Sequence, residues 1–256
     1  MARRVDALPL NEVHAAALMG FVPYAARELE VLGERYGRRG QELATALLAG
    51  IVVQADRMAG RPGTKDPSNI VIEGPPGVGK TTIIRDAVRG LKRAFASYAD
   101  DYPRIRTLWP NGVHYIEIKS ENLGVSTLEP IPVVDEEGNS YSLLPLKIVM
   151  DANTAFLFIV FIDDFTRGMQ FSYEAKQAFC DGQIFDYRVL SPMINLLAQN
   201  RSEDTENASP VPQAVLGRML IAMTWGHVST EDFARHSAHM VASTTTTWRR
   251  LSKRGK

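Results

Sequence analysis

Over the first sixty residues apolar positions recur every three to four places; beyond them they gather into short continuous runs. Leu29, Leu32 and Tyr36 fall at i, i+3 and i+7. Leu43, Leu47 and Ile51 run beside a second row of Leu48, Val52 and Ala55, the mark of a helix buried on a broad face. Pro23, Gly37 and Gly40 punctuate residues 11–59 into three helices. GRPGTKDPSN (60–69) reads as a connector. Then the period changes. NIVIE (69–73) is a short buried strand, followed by a glycine loop and a helix to about Phe95. VHYIEIK (113–119), FLFIVFID (156–163) and MINLLAQ (193–199) are further strands, and VLGRMLIAMTW (215–225) leads into a fifth. FLFIVFID is apolar on both faces, as a central parallel strand is. YEAKQAFCDG (173–182) is a helix ending at a glycine.

Strands alternating with helices imply an α/β fold: a parallel sheet of about five strands with helices on both sides. EPIPVVDEEGNSYSLLP (129–145) reads as a hairpin inserted into it, two extended runs around a Glu-Glu-Gly-Asn turn. TEDFARHSAHMVAS (230–243) is one more helix, capped by Thr230, before a basic tail. The expected organisation is a helical segment over 1–60, a core over 61–228 and a short helix with tail over 229–256.

Composition narrows the function classes only slightly. Lys plus Arg equals Asp plus Glu, 29 of each, so net charge argues for neither nucleic acid nor membrane. FLFIVFI is far too short to span a bilayer. Cys180 is the sole cysteine, so no disulfide forms within the chain; with no secretory leader at the N-terminus, a cytoplasmic location is expected. His236 and His239, at i and i+3, read as helix surface, and Cys180 as packing.

The chemistry concentrates after the first strand. Gly74, Pro75, Pro76, Gly77, Val78, Gly79, Lys80 and Thr81, followed by Thr82, fit G-x-x-x-x-G-K-[ST]. The glycines let successive backbone N–H groups converge on one phosphate chain, and the helix that follows adds its positive end. Lys80 is placed to reach the β and γ phosphates and the Thr81 hydroxyl to ligate Mg²⁺. Hydrolysis needs a second acidic site. FIVFIDDF supplies it: a buried strand ending in Asp163 and Asp164 sets two carboxylates at the carboxyl edge of the sheet. Asp163 is expected to hold Mg²⁺ through its water shell, and Asp164 to polarise the attacking water.

GPPGVGKT together with the apolar strand and its acidic pair resembles an AAA+ ATPase. More narrowly, residues 70–235 resemble the MoxR-type branch and its relatives encoded beside von Willebrand-type domain proteins. FIDDFTRGMQFSYEAKQAF, DGQIFDYRVLSP and LLAQNRSEDTENASPVPQAVLGRM carry that likeness. The resemblance implies a module that binds and hydrolyses ATP with Mg²⁺ and works as a ring, of six subunits, that remodels, assembles or gates a protein partner. It implies that Asn200 is the polar sensor at the end of the fourth strand and that Arg218 is an arginine finger acting on the neighbouring subunit's nucleotide. Arg167 and Arg201 are weaker candidates for that trans role, and Arg235 for a second sensor in a reduced helical lid. In such rings elements at the place of the 129–145 hairpin often face the pore or the partner; an ordinary surface hairpin fits these residues equally well. Asp164 stands where the branch has Glu, one methylene longer. That departure keeps open a nucleotide-switched scaffold of slow turnover. A DNA-associated ring or filament, touched by the basic tail, is disfavoured by the neutral charge.

Overall fold

A computed structural model describes residues 10–61, 67–123, 129–167, 169–184, 186–200 and 217–227, side chains of 169–172 excepted. The expected C-terminal helix and tail, Arg201 and Arg235 lie outside the described residues. Among the described residues two helices, not three, precede the sheet: α1 (Leu10–Tyr36) and α2 (Arg38–Met58). α1 runs straight through Pro23. A proline inside a helix costs about 3 kcal/mol. Leu18, Phe21, Ala25, Leu29 and Leu32 are all buried along this one helix, and each large apolar side chain returns roughly 1.5–3 kcal/mol. Burial wins. The real break is Gly37, whose φ of 60° suits glycine and whose N–H closes on the Gly33 carbonyl at 2.9 Å. Gly40 is no break either. It lets two backbones meet, since a Cβ there would sit 2.0 Å from the Leu32 carbonyl oxygen.

β1 (Ser68–Glu73) is followed by α3 (Lys80–Asp101), α4 (Pro103–Leu108) and β2 (Val113–Lys119). Then come β3 (Ile131–Val134), β4 (Ser140–Leu143), α5 (Pro145–Asn153), β5 (Leu157–Asp163) and α6 (Met169–Cys180). The short ribbon β6 (Gln183–Ile184) and β7 (Tyr187–Arg188) precedes β8 (Met193–Gln199) and β9 (Met219–Thr224). α3 extends past Phe95, and α4 and α5 were not anticipated. With six and nine residues they are too short to display a helical period.

The sheet order is β4-β3-β2-β5-β8-β1-β9. Its five strands β2, β5, β8, β1 and β9 are mutually parallel, and the β3–β4 hairpin extends it antiparallel at one edge. Alternation along the strands feeds two cores. In β5, Leu157, Ile159 and Phe161 join the α1–α2–α3 side, while Phe158, Val160 and Ile162 join the α5–α6 side. Among the described residues no helix is long and apolar enough to cross a membrane.

Polar groups inside these cores are tied down. Asn195 of β8 donates to the Asn69 side chain (2.7 Å) and to the Phe179 carbonyl (2.8 Å). Asn69 of β1 donates in turn to the carbonyls of Cys180 and Arg218, each at 3.0 Å. Two carbonyls at the end of α6 are thereby satisfied from the sheet. The hairpin turn folds back onto α3: buried Glu136 pairs with Lys92, and its carbonyl accepts from Arg89 at 2.5 Å.

His14 joins α1 to the bottom of the sheet. Its Nε2–H donates to the Phe156 carbonyl (2.7 Å), and its ring lies 4.2 Å from that of Trp109. Burial pushes its pKa from 6.5 down to about 4. The unfolded chain therefore takes up a proton that the native state refuses between pH 6.5 and about 4, so stability falls as pH drops through that window. The uncharged donor variant His14→Gln is expected to lose about 2–3 kcal/mol less than wild type between pH 7 and 4.5, measured by urea unfolding followed on tryptophan fluorescence.

Candidate active site

The phosphate-loop sequence emerges at the carboxyl edge of the sheet, between β1 and α3. Its root is pinned from both sides: the Gly74 N–H donates to the Gln199 carbonyl (3.1 Å), and the Trp225 N–H to the Glu73 carbonyl (2.7 Å). A Cβ on Gly74 would lie 2.7 Å from the Trp225 carbonyl oxygen. Gly77 and Gly79 have φ of 78° and 84°, with open space where a side chain would stand. Gly79 precedes α3 without any side-chain cap. Both glycines thus face open space at the start of a 22-residue helix, whose N-terminus suits an anion. Thr81 and Thr82 stand in that first turn. Arg39 of α2 donates to the Val78 carbonyl at 2.7 Å and braces the loop from outside.

Lys80 is buried, and its ammonium donates to Gly74 O (2.7 Å), Pro75 O (3.0 Å) and Asn200 Oδ1 (3.0 Å). The Asn200 amide donates to Asp164 Oδ1 at 3.0 Å. Loop lysine, Asn200 at the end of β8 and Asp164 at the end of β5 therefore form one hydrogen-bonded line across three elements. Asp163 Oδ1 accepts the Asp164 N–H at 3.1 Å. Burial, then neighbouring Asp164 and Glu117, hold the Asp163 carboxyl above the usual carboxylate range. The two adjacent carboxylates of Asp163 and Asp164 are oxygen donors of the kind a hard divalent cation takes.

The turn that carries Asp164 is unusual. Asp164 has φ of 51°, the one non-glycine in the left-handed region among the described residues. A side chain held there costs on the order of 1–3 kcal/mol and persists only where the surroundings impose it. The Phe165 N–H donates to the Ala198 carbonyl (2.8 Å) and the Arg167 N–H to the Asp164 carbonyl (2.8 Å). The Arg167 carbonyl accepts from Ser120 Oγ (2.8 Å) and Lys176 Nζ (2.6 Å). Lys176 is fully buried; its ammonium lies 5.8 Å from the centre of the Phe165 ring, and burial lowers its pKa to about 8. Beside the turn is a cleft of about 110 Å³ lined by Lys119, Ser120, Glu121, Asp163, Asp164 and Arg167.

Arg218 stands elsewhere. β9 pairs with β1 in parallel, Asn69 with Met219 and Glu73 with Thr224, so Arg218 precedes the strand at the edge opposite the loop. Six strand residues put it roughly 20 Å from the loop's root. Its guanidinium pairs with Asp181 of the same chain. It does not join this chain's own line of Lys80, Asn200 and Asp164. Arg167 points at Asp164 and Glu121 of its own chain, 3.8 and 3.7 Å away, with its side chain 62% exposed.

Reading the sequence missed three residues here. Arg39 and Ser120 gave no signal. Lys176 did: with Phe179 and Cys180 it occupies i, i+3 and i+4 of an otherwise buried face.

No protein-family model and no curated protein matches the chain. Solved structures do. The S. cerevisiae Hsp104–ADP complex superposes with a TM-score of 0.51 at 10% identity, over 94% of this chain and 42% of that one. A candidate ATPase from Cytophaga hutchinsonii gives 0.47 at 14%, over 88% and 58%. The Aeropyrum pernix ORC2 protein, in ADPNP–ADP complexes, gives 0.40 at 13%, over 82% and 51%. The chain spans between two fifths and three fifths of these structures' length. The fold shared with the Hsp104 structure is mixed α/β, a mostly parallel seven-stranded sheet flanked by helices.

Proposed function

We propose that this chain is an ATP-binding and ATP-hydrolysing module of the MoxR-like AAA+ kind, active as a ring in which each nucleotide is shared between neighbours, and that it remodels, assembles or gates a protein partner. The observation that carries the reading is the line from Lys80 through Asn200 to Asp164. It places a cation, an amide and a carboxylate in hydrogen-bond contact at the mouth of a glycine loop.

The backbone of 74–82 would cradle the phosphates, and Lys80 would exchange the Gly74 and Pro75 carbonyls for phosphate oxygens. The open groove of about 590 Å³ between α2 and β9, beside the Arg39 brace, is the candidate seat for the base. Thr81 and Asp163 are the residues that would hold Mg²⁺; when bound, that ion neutralises phosphate charge. Asp164 would orient water and draw its proton, and Asn200 would hold that carboxylate in place. Arg218 would serve the adjacent subunit.

A scaffold of slow turnover is the second reading. The short Asp164 carboxylate, already engaged by Asn200, favours it. Sizing and phosphate release on the same samples separate the two. The motor reading expects assembly with ATP and a specific rate that rises with protein concentration. The scaffold reading expects the same assembly with release near background. No nucleotide-dependent assembly and no release would remove both.

A further inference from the structure

We infer that Lys176 and Ser120 are positioning residues that clamp the turn carrying Asp164, holding it left-handed so that its carboxylate meets Asn200. The inference rests on the proposed ATPase reading for its consequence, though the clamp itself is a matter of local structure.

A buried ammonium in an apolar layer is costly. Lys176 is fully buried, and its ammonium donates to the Arg167 carbonyl. The same carbonyl takes the Ser120 hydroxyl from the end of β2. Arg167 is the closing residue of the turn, since its N–H returns to the Asp164 carbonyl. Two donors from different elements therefore fix the far end of a turn whose near end is the strained Asp164. β8 fixes the middle through Phe165 and Ala198. Loosening the far end lets Asp164 relax to ordinary φ, which swings its carboxylate away from Asn200.

Packing alone does not ask for this lysine. Replacing a buried charge with an apolar side chain of similar volume is often neutral or stabilising. Lys176→Met is therefore expected to keep or raise the urea midpoint, to leave ATP affinity within about twofold, and to lower kcat ten- to a hundred-fold. Ser120→Ala is expected to lower kcat several-fold. Because both act on one carbonyl, the double variant should fall short of the product of the two effects. Hydrogen exchange at the Phe165 and Arg167 amides should accelerate in both variants, whether or not the protein turns over ATP.

Faster exchange in the variants of a protein whose wild type releases no phosphate would overturn the ATPase reading and keep the clamp. Wild-type kcat in Lys176→Met, or unchanged exchange, would overturn the clamp. A fall in kcat matched by an equal loss of stability would do so too, by marking the lysine as merely structural. Should Lys176→Met fail to fold, Ser120→Ala carries the same readings.

Discussion

Lys80→Ala is expected to lose ATP binding by two orders of magnitude or more and to release no phosphate above background. The Lys80 ammonium lies inside the loop, held at once by Gly74 O, Pro75 O and Asn200 Oδ1. Each charge-assisted hydrogen bond contributes roughly 1.5–3 kcal/mol. Two such bonds to phosphate, at about 1.4 kcal/mol per factor of ten, give the hundredfold. The variant also frees Asn200, and with it the bond that holds Asp164, so binding and chemistry fail together. Calorimetric titration with ATP and a phosphate-release assay on the same preparation check this. Affinity within a few-fold of wild type would mean that the loop does not bind phosphate through this lysine.

Arg218→Ala is expected to behave in the opposite way: nucleotide affinity nearly unchanged, turnover down on the order of a thousand-fold. The residue lies at the wrong end of the sheet to reach its own chain's loop, and its guanidinium is already paired with Asp181. A half-exposed pair of this kind contributes about 1 kcal/mol at most, so the variant should fold normally. To act, the arginine must leave Asp181 for a neighbour's nucleotide. Mixing decides the matter. Arg218→Ala subunits keep a working loop and Lys80→Ala subunits keep a working arginine. In an even random mixture roughly a quarter of head-to-tail interfaces join the two working halves. Recovery toward that fraction is the expected result, with co-assembly verified by sizing. No recovery at any ratio would sink the trans role.

How much of this was legible in the sequence varies from element to element. The run 156–163 announced a central strand, observed from Leu157 to Asp163, because both its faces are buried, and the two cores it feeds show why. VHYIEIK and MINLLAQ were delimited to the residue, since strand length and burial agree there. Pro23 misled, because a local rule was outweighed by five buried side chains on the same helix. α5 was invisible: nine residues do not hold enough turns to show a period. The hairpin was legible as a hairpin; that its turn lies on α3, held by Arg89 and Lys92, was not, because those partners are more than forty residues away.

The sequence by itself determined the succession of parallel strands, the glycine loop and the pair of acids. All three are local: period, glycine spacing and an apolar run ending in charge are properties of neighbouring residues. Only the tertiary structure decided which groups meet. That Asn200 bridges Lys80 and Asp164, that Lys176 and Ser120 grip one carbonyl, and that Arg218 lies at the far edge all depend on strand register. Register is set by how the two buried faces pack, not by any residue's neighbours in the chain.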